Sequence, residues 1–248
     1  MNATARHFVR AAFGAALLSL GSTAPGIGAD APTPPPPAPR VLVLVRHGHY
    51  AADPQADPKL GPGLTAFGVA QARLAGARLA GLQLPFDVVL ASPLQRAAET
   101  ARVIASDLGA DVRVQTVAEL EECTPPTWRE QLVKDEPIED QKACAARLDR
   151  LFAERFVPAT GGERRELLVA HGNVIRYLIT KALRVDTKAW LEMSVGHASL
   201  TTIRVEADGT FKVIAIGDVG HLPPNYLTGA TGNPDRDLTV PALPKPPG

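Results

Sequence analysis

The segment Val41-Leu42-Val43-Leu44-Val45, which runs directly into Arg46-His47-Gly48, decides the fold of this chain. An unbroken run of β-branched and leucine residues is typical of a strand that is buried on both faces of a parallel sheet. Gly48 allows the sharp turn that follows such a strand. The pattern therefore predicts that Arg46 and His47 lie at the carboxyl end of a central strand, where open α/β sheets bind their ligands.

The residues at this strand end favour an anionic substrate. Arg46 offers a planar set of N–H donors to an anion, and His47 has a side chain that can act as a nucleophile or transfer a proton. A tripeptide is weak support on its own, because a strand that ends in a polar turn explains it equally well. The rest of the chain has to separate the two interpretations.

The composition predicts a soluble α/β domain without a strong charge imbalance. The chain has 248 residues, of which 45% are hydrophobic and 21% charged, and this length is sufficient for a full core. Lys+Arg and Asp+Glu both number 26, so binding to nucleic acid through bulk electrostatics is not expected. The Cys and His residues do not have the spacing of a zinc site.

Residues 1–29 predict a signal peptide. They begin with a positively charged stretch, continue with an apolar run over residues 11–20, and end in small residues up to Ala29, where cleavage is expected. The apolar run is short, so no stable membrane span is expected. We therefore expect an exported protein, periplasmic in a bacterium, with an N-terminal membrane anchor or an amphipathic transit peptide as the alternatives.

Proline marks both ends of the folded region. Residues 30–39 are dense in proline and predict an extended tether. Residues 40–221 are expected to form the folded domain. Residues 222–248 are rich in Pro and Gly and predict a loosely packed C-terminal tail.

Strands alternate with helices along the domain. Predicted strands lie at residues 41–45, 87–91, 111–117 and 167–170, and predicted helices at residues 66–82, 139–156, 174–183 and after Ser92-Pro93, with Ser92 as N-cap. Residues 199–205 and 211–216 read as a hairpin. This order predicts a mostly parallel sheet with antiparallel edge strands.

A second histidine follows a buried strand in the same way as the first. His171 comes directly after residues 167–170 and precedes Gly172. Because parallel strands of one sheet end on the same side, we expect His47 and His171 to meet in one crevice.

An arginine near a helix start completes this set. Arg96 lies in the first turns of the helix that follows Ser92-Pro93, and a helix N-terminus favours an anion. Together with Arg46 and the two histidines it predicts a compact positive pocket. A phosphoryl group suits such a pocket, because its oxygens accept the N–H donors of arginine.

The remaining histidines carry weaker signals. His49 lies two residues from His47, which on a strand would suggest a metal pair. Gly48 interrupts the strand, so His49 is interpreted as a loop residue near the pocket rim. His197 and His221 are interpreted as ordinary polar residues.

With these motifs the chain resembles the histidine phosphatase superfamily, in its phosphoglycerate-mutase-like branch. The matching motifs run in family order over residues 40–219. They are Arg46-His47-Gly48, Leu64-Thr65-x-x-Gly68-x-x-Gln71-Ala72, Ser92-Pro93-Leu94-x-Arg96-Ala97-x-Glu99-Thr100, Leu120-x-Glu122 and His171-Gly172-Asn173-Val174-Ile175-Arg176. The resemblance implies an α/β fold, a three-layer sandwich around a mostly parallel sheet.

The resemblance also implies roles for individual residues. The expected catalytic residues are His47 as nucleophile, Glu122 as general acid and base, and His171. The expected substrate-binding residues are Arg46, Arg96, Gly48 and Asn173. No metal or cofactor is implied, because the arginines supply the charge that stabilises the transferred group.

The general acid is the least certain of these roles. The family continues after this acid with Gly and Trp, whereas this chain has Cys123-Thr124-Pro125-Pro126. Glu119 and Glu121 are close enough in sequence to be rivals of Glu122.

The sequence therefore predicts a metal-independent phosphatase that hydrolyses phosphomonoesters through a phosphohistidine. Its substrate would be a phosphoprotein or a small sugar phosphate. A phosphomutase is one alternative. A catalytically weak phosphate-binding or adaptor module is the other, although such a module has no need for the nucleophile His47.

The two cysteines leave their own question open. A bond between Cys123 and Cys144 would close a loop of about 20 residues, which stabilises a protein by about 3 kcal/mol. Two free buried thiols are equally consistent with the sequence, because spacing alone does not define the geometry.

Overall fold

The computed structural model describes residues 35–83, 85–109 and 112–229. The strands are β1 (Pro37–Ala38), β2 (Arg40–Arg46), β3 (Val88–Ala91), β4 (Val114–Thr116), β5 (Ala159–Thr160), β6 (Arg164–Ala170), β7 (Leu200–Val205) and β8 (Phe211–Asp218). The helices are α1 (Ala66–Gly81), α2 (Gln95–Leu108), α3 (Ile138–Arg155) and α4 (Gly172–Leu183). Single turns of 3-10 helix lie at Ala118–Leu120, Glu130–Leu132 and Pro224–Tyr226, and a longer one lies at Thr187–Glu192.

The central sheet has the strand order β4-β3-β6-β2-β7-β8. The pairs β4–β3, β3–β6 and β6–β2 are parallel, whereas β2–β7 and β7–β8 are antiparallel. The predicted mostly parallel sheet with an antiparallel hairpin at one edge is therefore confirmed. The strand β2 lies inside the sheet, as its unbroken apolar run predicts.

The sheet has a hydrophobic core on each face. Leu42 and Leu44 of β2 pack into the core that α3 and α4 cover, and Val43 and Val45 pack into the core that α1 and α2 cover. All four are at most 7% exposed, and full burial of such a side chain contributes about 1.5–3 kcal/mol. The three-layer α/β class is confirmed.

Contacts extend beyond both predicted domain boundaries. Pro37–Ala38, inside the predicted tether, pair antiparallel with Ala159–Thr160. Leu222 and Thr228, inside the predicted tail, are only 7% and 4% exposed. The predicted signal peptide, residues 1–29, lies outside the described part of the chain.

Helix α2 begins later than its sequence predicts. Leu94 occupies the N-cap position and makes no side-chain capping bond. The hydroxyl of Ser92, the predicted cap, instead accepts a hydrogen bond from the Leu94 N–H at 3.2 Å and lies 2.8 Å from Nε2 of His171. Ser92 thus contacts one of the predicted site histidines.

The cysteines form a disulfide. Cys123 and Cys144 are bonded, with their Cα atoms 5.7 Å apart. Cys144 lies on α3, and Cys123 lies in the irregular segment that follows the Ala118–Leu120 turn. The bond therefore ties the segment that carries Glu122 to a helix of the core.

We predict that replacing Cys123 and Cys144 together by alanine lowers the free energy of unfolding by about 3 kcal/mol, because the bond restricts the unfolded chain over a separation of 21 residues. Denaturant unfolding with a circular dichroism readout measures this. Reduction of the wild-type protein with a dithiol should give the same loss, and an unchanged unfolding midpoint in both experiments would contradict the prediction.

The turn after β2 packs tightly against the start of α1. A Cβ atom added to Gly48 would lie 2.6 Å from the carbonyl oxygen of Gly68, which is closer than atoms can approach. We predict that Gly48→Ala destabilises the protein by about 1–3 kcal/mol, because the backbone must shift to relieve this contact.

Helix α1, against which Gly48 packs, also offers a control position. Gly81, the last residue of α1, has open space around its missing Cβ. Gly81→Ala should stabilise the protein by about 0.5–1 kcal/mol through helix propensity. Thermal unfolding of both variants checks the pair, and equal melting temperatures for the two would refute the steric argument.

Candidate active site

Two histidines meet at one edge of the sheet. Strands β2 and β6 are adjacent and parallel, with Arg46 opposite Ala170. His47 and His171 are the next residues of the two strands, and the His47 N–H donates to the Ala170 carbonyl at 3.0 Å. Their ring centroids lie 5.1 Å apart, so the two predicted side chains occupy one crevice.

The contacts of His47 determine which ring nitrogen carries the proton. Its Nδ1 lies 2.8 Å from the carbonyl oxygen of Gly48, and a carbonyl can only accept, so Nδ1 carries the proton. Burial, reinforced by His171 and Arg46, holds the pKa of His47 well below its usual range. The imidazole is therefore neutral, and Nε2 presents an unprotonated lone pair.

Arg96 reaches this lone pair. It is 9% exposed, and its Nε donates to His47 Nε2 at 3.3 Å. Its guanidinium lies over the ring of Tyr50, 4.7 Å from the centroid, which adds a cation–π contact. Glu99, a carboxylate on the same helix, accepts from the Leu64 N–H and from the Gln95 side chain rather than from Arg96.

Arg46 supplies a second guanidinium group to the site. Its Nη1 donates to the carbonyls of Val195 and Gly229 at 2.7 and 2.9 Å. Its Nε is buried and has no hydrogen-bond partner among the described residues. Burial lowers the pKa of Arg46, and Glu122 opposes this effect. The guanidinium thus keeps donors that are not used by the fold.

His171 is fully buried. Its Nε2 pairs with the Ser92 hydroxyl, and its Nδ1 lies 3.8 Å from Oε2 of Glu122. Burial, together with Arg96 and Arg46, lowers the pKa of His171 well below its usual range. His171 is therefore a second neutral imidazole in the site.

Glu122 is the carboxyl group that the fold brings to these histidines. Its side chain is 29% exposed as a whole, but Oε1 is buried without a hydrogen-bond partner in the described part of the chain. Burial raises the pKa of Glu122 to about 7, while Arg46 and Arg96 oppose this shift. Glu119, one of its two rivals, is exposed.

The segment around Glu122 is anchored through its backbone. Arg147 of α3 donates to the Glu121 carbonyl at 2.6 Å, and the Asn173 side chain donates to the Cys123 carbonyl at 3.2 Å. Trp190 donates to the Pro126 carbonyl at 3.0 Å. With the disulfide, these bonds hold the stretch that departs from the family pattern.

Two predicted substrate-binding residues have other contacts. The Gly48 N–H donates to the Thr100 hydroxyl at 3.0 Å, so this N–H does not face a ligand. The Asn173 amide donates to Cys123 and accepts from Arg176 at 2.7 Å. The Gly48 N–H is thus used within the fold, whereas Asn173 keeps a second amide hydrogen beside the bond to Cys123.

Two neighbours of His47 were not predicted from the sequence. Tyr50 has its ring centroid 5.3 Å from that of His47, and so has His197, which is 8% exposed. The sequence around His197 predicts an ordinary polar residue. A signal was available, because it lies just before β7, and an antiparallel neighbour of β2 begins at the edge where β2 ends.

A groove adjoins the crevice at Arg46. Its volume is about 860 Å³. Its wall is mixed in character, with two further arginines, two glutamates and several apolar side chains; it includes Thr124, Arg129, Leu132, Val133, Glu136, Asn173, Arg176, Trp190, Leu191, Glu192, Met193 and Val195. A substrate bound at the histidines has room here for the part beyond its reacting group.

The site also contains three groups of the kind that bind metals. Candidate ligand atoms of His47, Glu122 and His171 lie within 4.8 Å of one another. Arg46 and Arg96 share the same space, and two guanidinium groups repel a cation and attract an anion. The charge distribution therefore favours a phosphoryl group at this position.

Solved structures show the same fold. A phosphoglycerate mutase from Plasmodium falciparum matches with a TM-score of 0.53 and 24% identity, over 75% of this chain and 95% of that chain. A mycobacterial glucosyl-3-phosphoglycerate phosphatase matches with a TM-score of 0.54 and 24% identity, over 72% of this chain and 99% of that chain. At this identity the likeness concerns the fold alone.

Curated proteins show closer sequence similarity. The chain is 36% identical over 196 residues to the serine/threonine-protein phosphatase Pgam5, mitochondrial, of Caenorhabditis elegans. It is 34% identical over 190 residues to the protein of the same name from Drosophila persimilis. Each match covers 75% of this chain, and the chain spans about 65% of the length of these relatives.

The expectation of periplasmic export is wrong, because these relatives are named as mitochondrial. A positive start and a short apolar run occur in export signals and in amphipathic transit peptides alike, so they could not separate the two. Within the described residues, none of the helices combines the length and the apolar character that a bilayer crossing requires.

The chain also matches a model that describes a whole protein family. The model of the histidine phosphatase superfamily (branch 1) matches residues 42–158 and 124–218. These ranges include most of β2 and the following His47, the start of α2 with Arg96, and β6 with the following His171. The chain belongs to the histidine phosphatase superfamily.

Proposed function

We propose that this chain is a phosphatase that hydrolyses phosphomonoesters through a phosphohistidine at His47. One observation carries the proposal: the Gly48 carbonyl holds the proton on Nδ1, so that Nε2 points its lone pair at the guanidinium of Arg96. A nucleophilic nitrogen beside a fixed cation is what attack on a phosphoryl group requires. The family, and the relatives named as phosphatases, support the same reaction.

In the first step, Nε2 of His47 attacks phosphorus as the P–O bond to the leaving group breaks. The transferred group carries its charge on three oxygens, and preorganised donors around them stabilise the transition state. Arg96 and the unused donors of Arg46 are suited to this task. Their positive charges are set in a buried site, where electrostatic interactions are stronger than in water.

His171 is suited to donate a hydrogen bond as a neutral group. The Ser92 hydroxyl accepts from the Leu94 N–H, so its own hydrogen can be directed to His171 Nε2. Nδ1 of His171 then carries the ring proton and faces the space between His47 and Glu122. A neutral donor there binds a phosphoryl oxygen without adding a third positive charge.

Glu122 is suited to handle the proton of the leaving group. Because its pKa is raised to about 7, an appreciable fraction is protonated near neutral pH and can protonate the departing alkoxide. The carboxylate that this leaves can then take a proton from the water that attacks the phosphohistidine, which releases phosphate. A purely binding module has no need for either the nucleophile or such an acid.

The substrates are proposed as a class. The named relatives are serine/threonine-protein phosphatases, and the groove beside Arg46 has room for either a phosphorylated side chain on a peptide or a sugar phosphate. Both are phosphomonoesters, and both present the same dianion to the histidines and arginines.

We predict that His47→Ala lowers the turnover of p-nitrophenyl phosphate by at least about 1,000-fold, because no phosphohistidine can form. Steady-state kinetics measure the loss, and quenching with alkaline detergent after addition of phosphoryl-labelled substrate should trap an alkali-stable, acid-labile phosphoenzyme in the wild type only. Gln115→Ala, at an exposed side chain on β4, is the control. Activity of His47→Ala within tenfold of the wild type would rule the mechanism out.

We predict that kcat/KM for an alkyl phosphate falls as pH rises through about 7, and that Glu122→Gln removes this dependence. The raised pKa means that Glu122 holds its proton below pH 7 and loses it above, so the acid form disappears on the alkaline side. Glu122→Gln should lower kcat/KM for the alkyl phosphate far more than for 2,4-dinitrophenyl phosphate, whose leaving group departs without a proton.

Glu121→Gln is the control for this prediction, since it neutralises the adjacent carboxyl and should change neither profile. The second ionisation of the substrate phosphate affects the wild type and both variants equally. Its contribution therefore cancels when their pH profiles are compared. Equal losses by Glu122→Gln on the two substrates would show that Glu122 is not the acid.

A further inference from the structure

A third histidine is fixed beside the nucleophile by the backbone. The Ala198 N–H donates to the Arg46 carbonyl at 3.0 Å, and the His197 N–H donates to the Thr228 carbonyl at 2.9 Å. Ala198 has φ +54, a left-handed conformation that a residue with a side chain adopts at a cost of about 1–3 kcal/mol. The surrounding bonds maintain this strained turn, and they hold the His197 ring 5.3 Å from that of His47.

A hydroxyl group sets the tautomer of His197. Gln71 accepts from the His49 N–H through Oε1, which fixes its amide nitrogen as the donor to the Thr228 hydroxyl at 2.9 Å. The same hydroxyl lies 2.8 Å from Nδ1 of His197. Thr228 therefore accepts from Gln71 and can direct its own hydrogen to Nδ1, and in this arrangement the ring proton is on Nε2.

The Nε2 atom of His197 is unpaired in the described part of the chain. It is buried and lacks a hydrogen-bond partner among residues 35–83, 85–109 and 112–229. Burying a polar group without a partner costs about 1–3 kcal/mol. Nδ1 of His171 has the same status, and there too the opposite nitrogen is paired with a hydroxyl, that of Ser92.

The charge state of His197 suits a donor. Burial, reinforced by Arg46 and His49, lowers the pKa of His197 to about 2, so the ring is neutral. A neutral N–H donates to an anion without competing electrostatically with the two arginines. The rings of His47, His49 and Tyr50 surround it, and Nε2 has no hydrogen-bond partner among the described residues, so this hydrogen is available to an oxygen bound beside His47.

We propose that His197 is a further phosphoryl-binding residue, whose Nε2–H donates to an oxygen of the group that is transferred to His47. The inference rests on the proposed phosphatase function and adds a fourth donor, beside Arg46, Arg96 and His171. The two neutral imidazoles, each oriented by a hydroxyl, then flank the nucleophile, with centroids 5.1 and 5.3 Å from its own.

Two isosteric substitutions separate this role from simple packing. The amide nitrogen of glutamine reaches the position of Nε2, whereas that of asparagine reaches only the position of Nδ1. We expect His197→Asn to lower kcat/KM for p-nitrophenyl phosphate by about 10- to 100-fold, the effect of losing one hydrogen bond to a charged group. His197→Gln should stay within about threefold of the wild type.

Binding of orthovanadate gives a second readout. We expect the inhibition constant of vanadate to rise in His197→Asn by a factor similar to the loss in kcat/KM, and to change little in His197→Gln. Thermal unfolding of both variants checks folding, and each variant serves as the control for the other because both replace the imidazole by an amide. Similar losses in both His197 variants, or no loss in either, would overturn the inference.

Failure of the proposed function would look different. If the wild-type protein does not hydrolyse p-nitrophenyl phosphate, the phosphatase proposal fails, and calorimetric binding of orthophosphate then tests His197 directly. Weaker phosphate binding by His197→Asn than by His197→Gln would still support the donor role. Equal phosphate affinity in the wild type and both variants would reject it.

Discussion

The parallel pairing of β2 with β6 is the constraint on which the site depends. Their register places Arg46 opposite Ala170, and the hydrogen bond from the His47 N–H to the Ala170 carbonyl continues it one residue beyond the strand. Two segments that are more than 120 residues apart in sequence are thereby fixed at one edge. Both strands are buried on two faces, and β2 has an arginine at each end of its apolar run, so a slip of the register would carry Arg40 or Arg46 towards an apolar layer.

The electrostatic character of the site follows from this burial. Several positive groups share a small volume, and the histidines respond by staying neutral: burial is the largest cause of the lowered pKa at His47, His171 and His197. The same burial raises the pKa of Glu122. The arginines keep the positive charge, and the neutral rings supply a lone pair and N–H donors.

Much of this arrangement could be predicted from the sequence. The apolar run over residues 41–45 predicts a central strand, because so many adjacent apolar residues are typical of a strand that is buried on both faces. His47, His171 and Arg96 were associated because each follows a strand in an alternating pattern, and such strands end on one side. The structure brings all three together.

The parts that could not be predicted depend on chain direction and on contacts between distant residues. His197 precedes an antiparallel strand, so the rule for parallel strand ends did not include it. Ser92 was assigned to the helix start by its local sequence, but its hydroxyl contacts His171, which is 79 residues away. Whether the two cysteines form a disulfide could be decided only from the structure, because two thiols at this spacing can either pair or stay apart.

The anchors of the Glu122 segment have a consequence for its tolerance of sequence change. Apart from the disulfide, the bonds described here reach carbonyl oxygens, those of Glu121, Cys123 and Pro126. Every amino acid has such an oxygen, so this support makes no demand on most of the neighbouring side chains. The loop could therefore diverge during evolution, and acquire different neighbours for the acid, while the carboxyl group remained where the chemistry needs it.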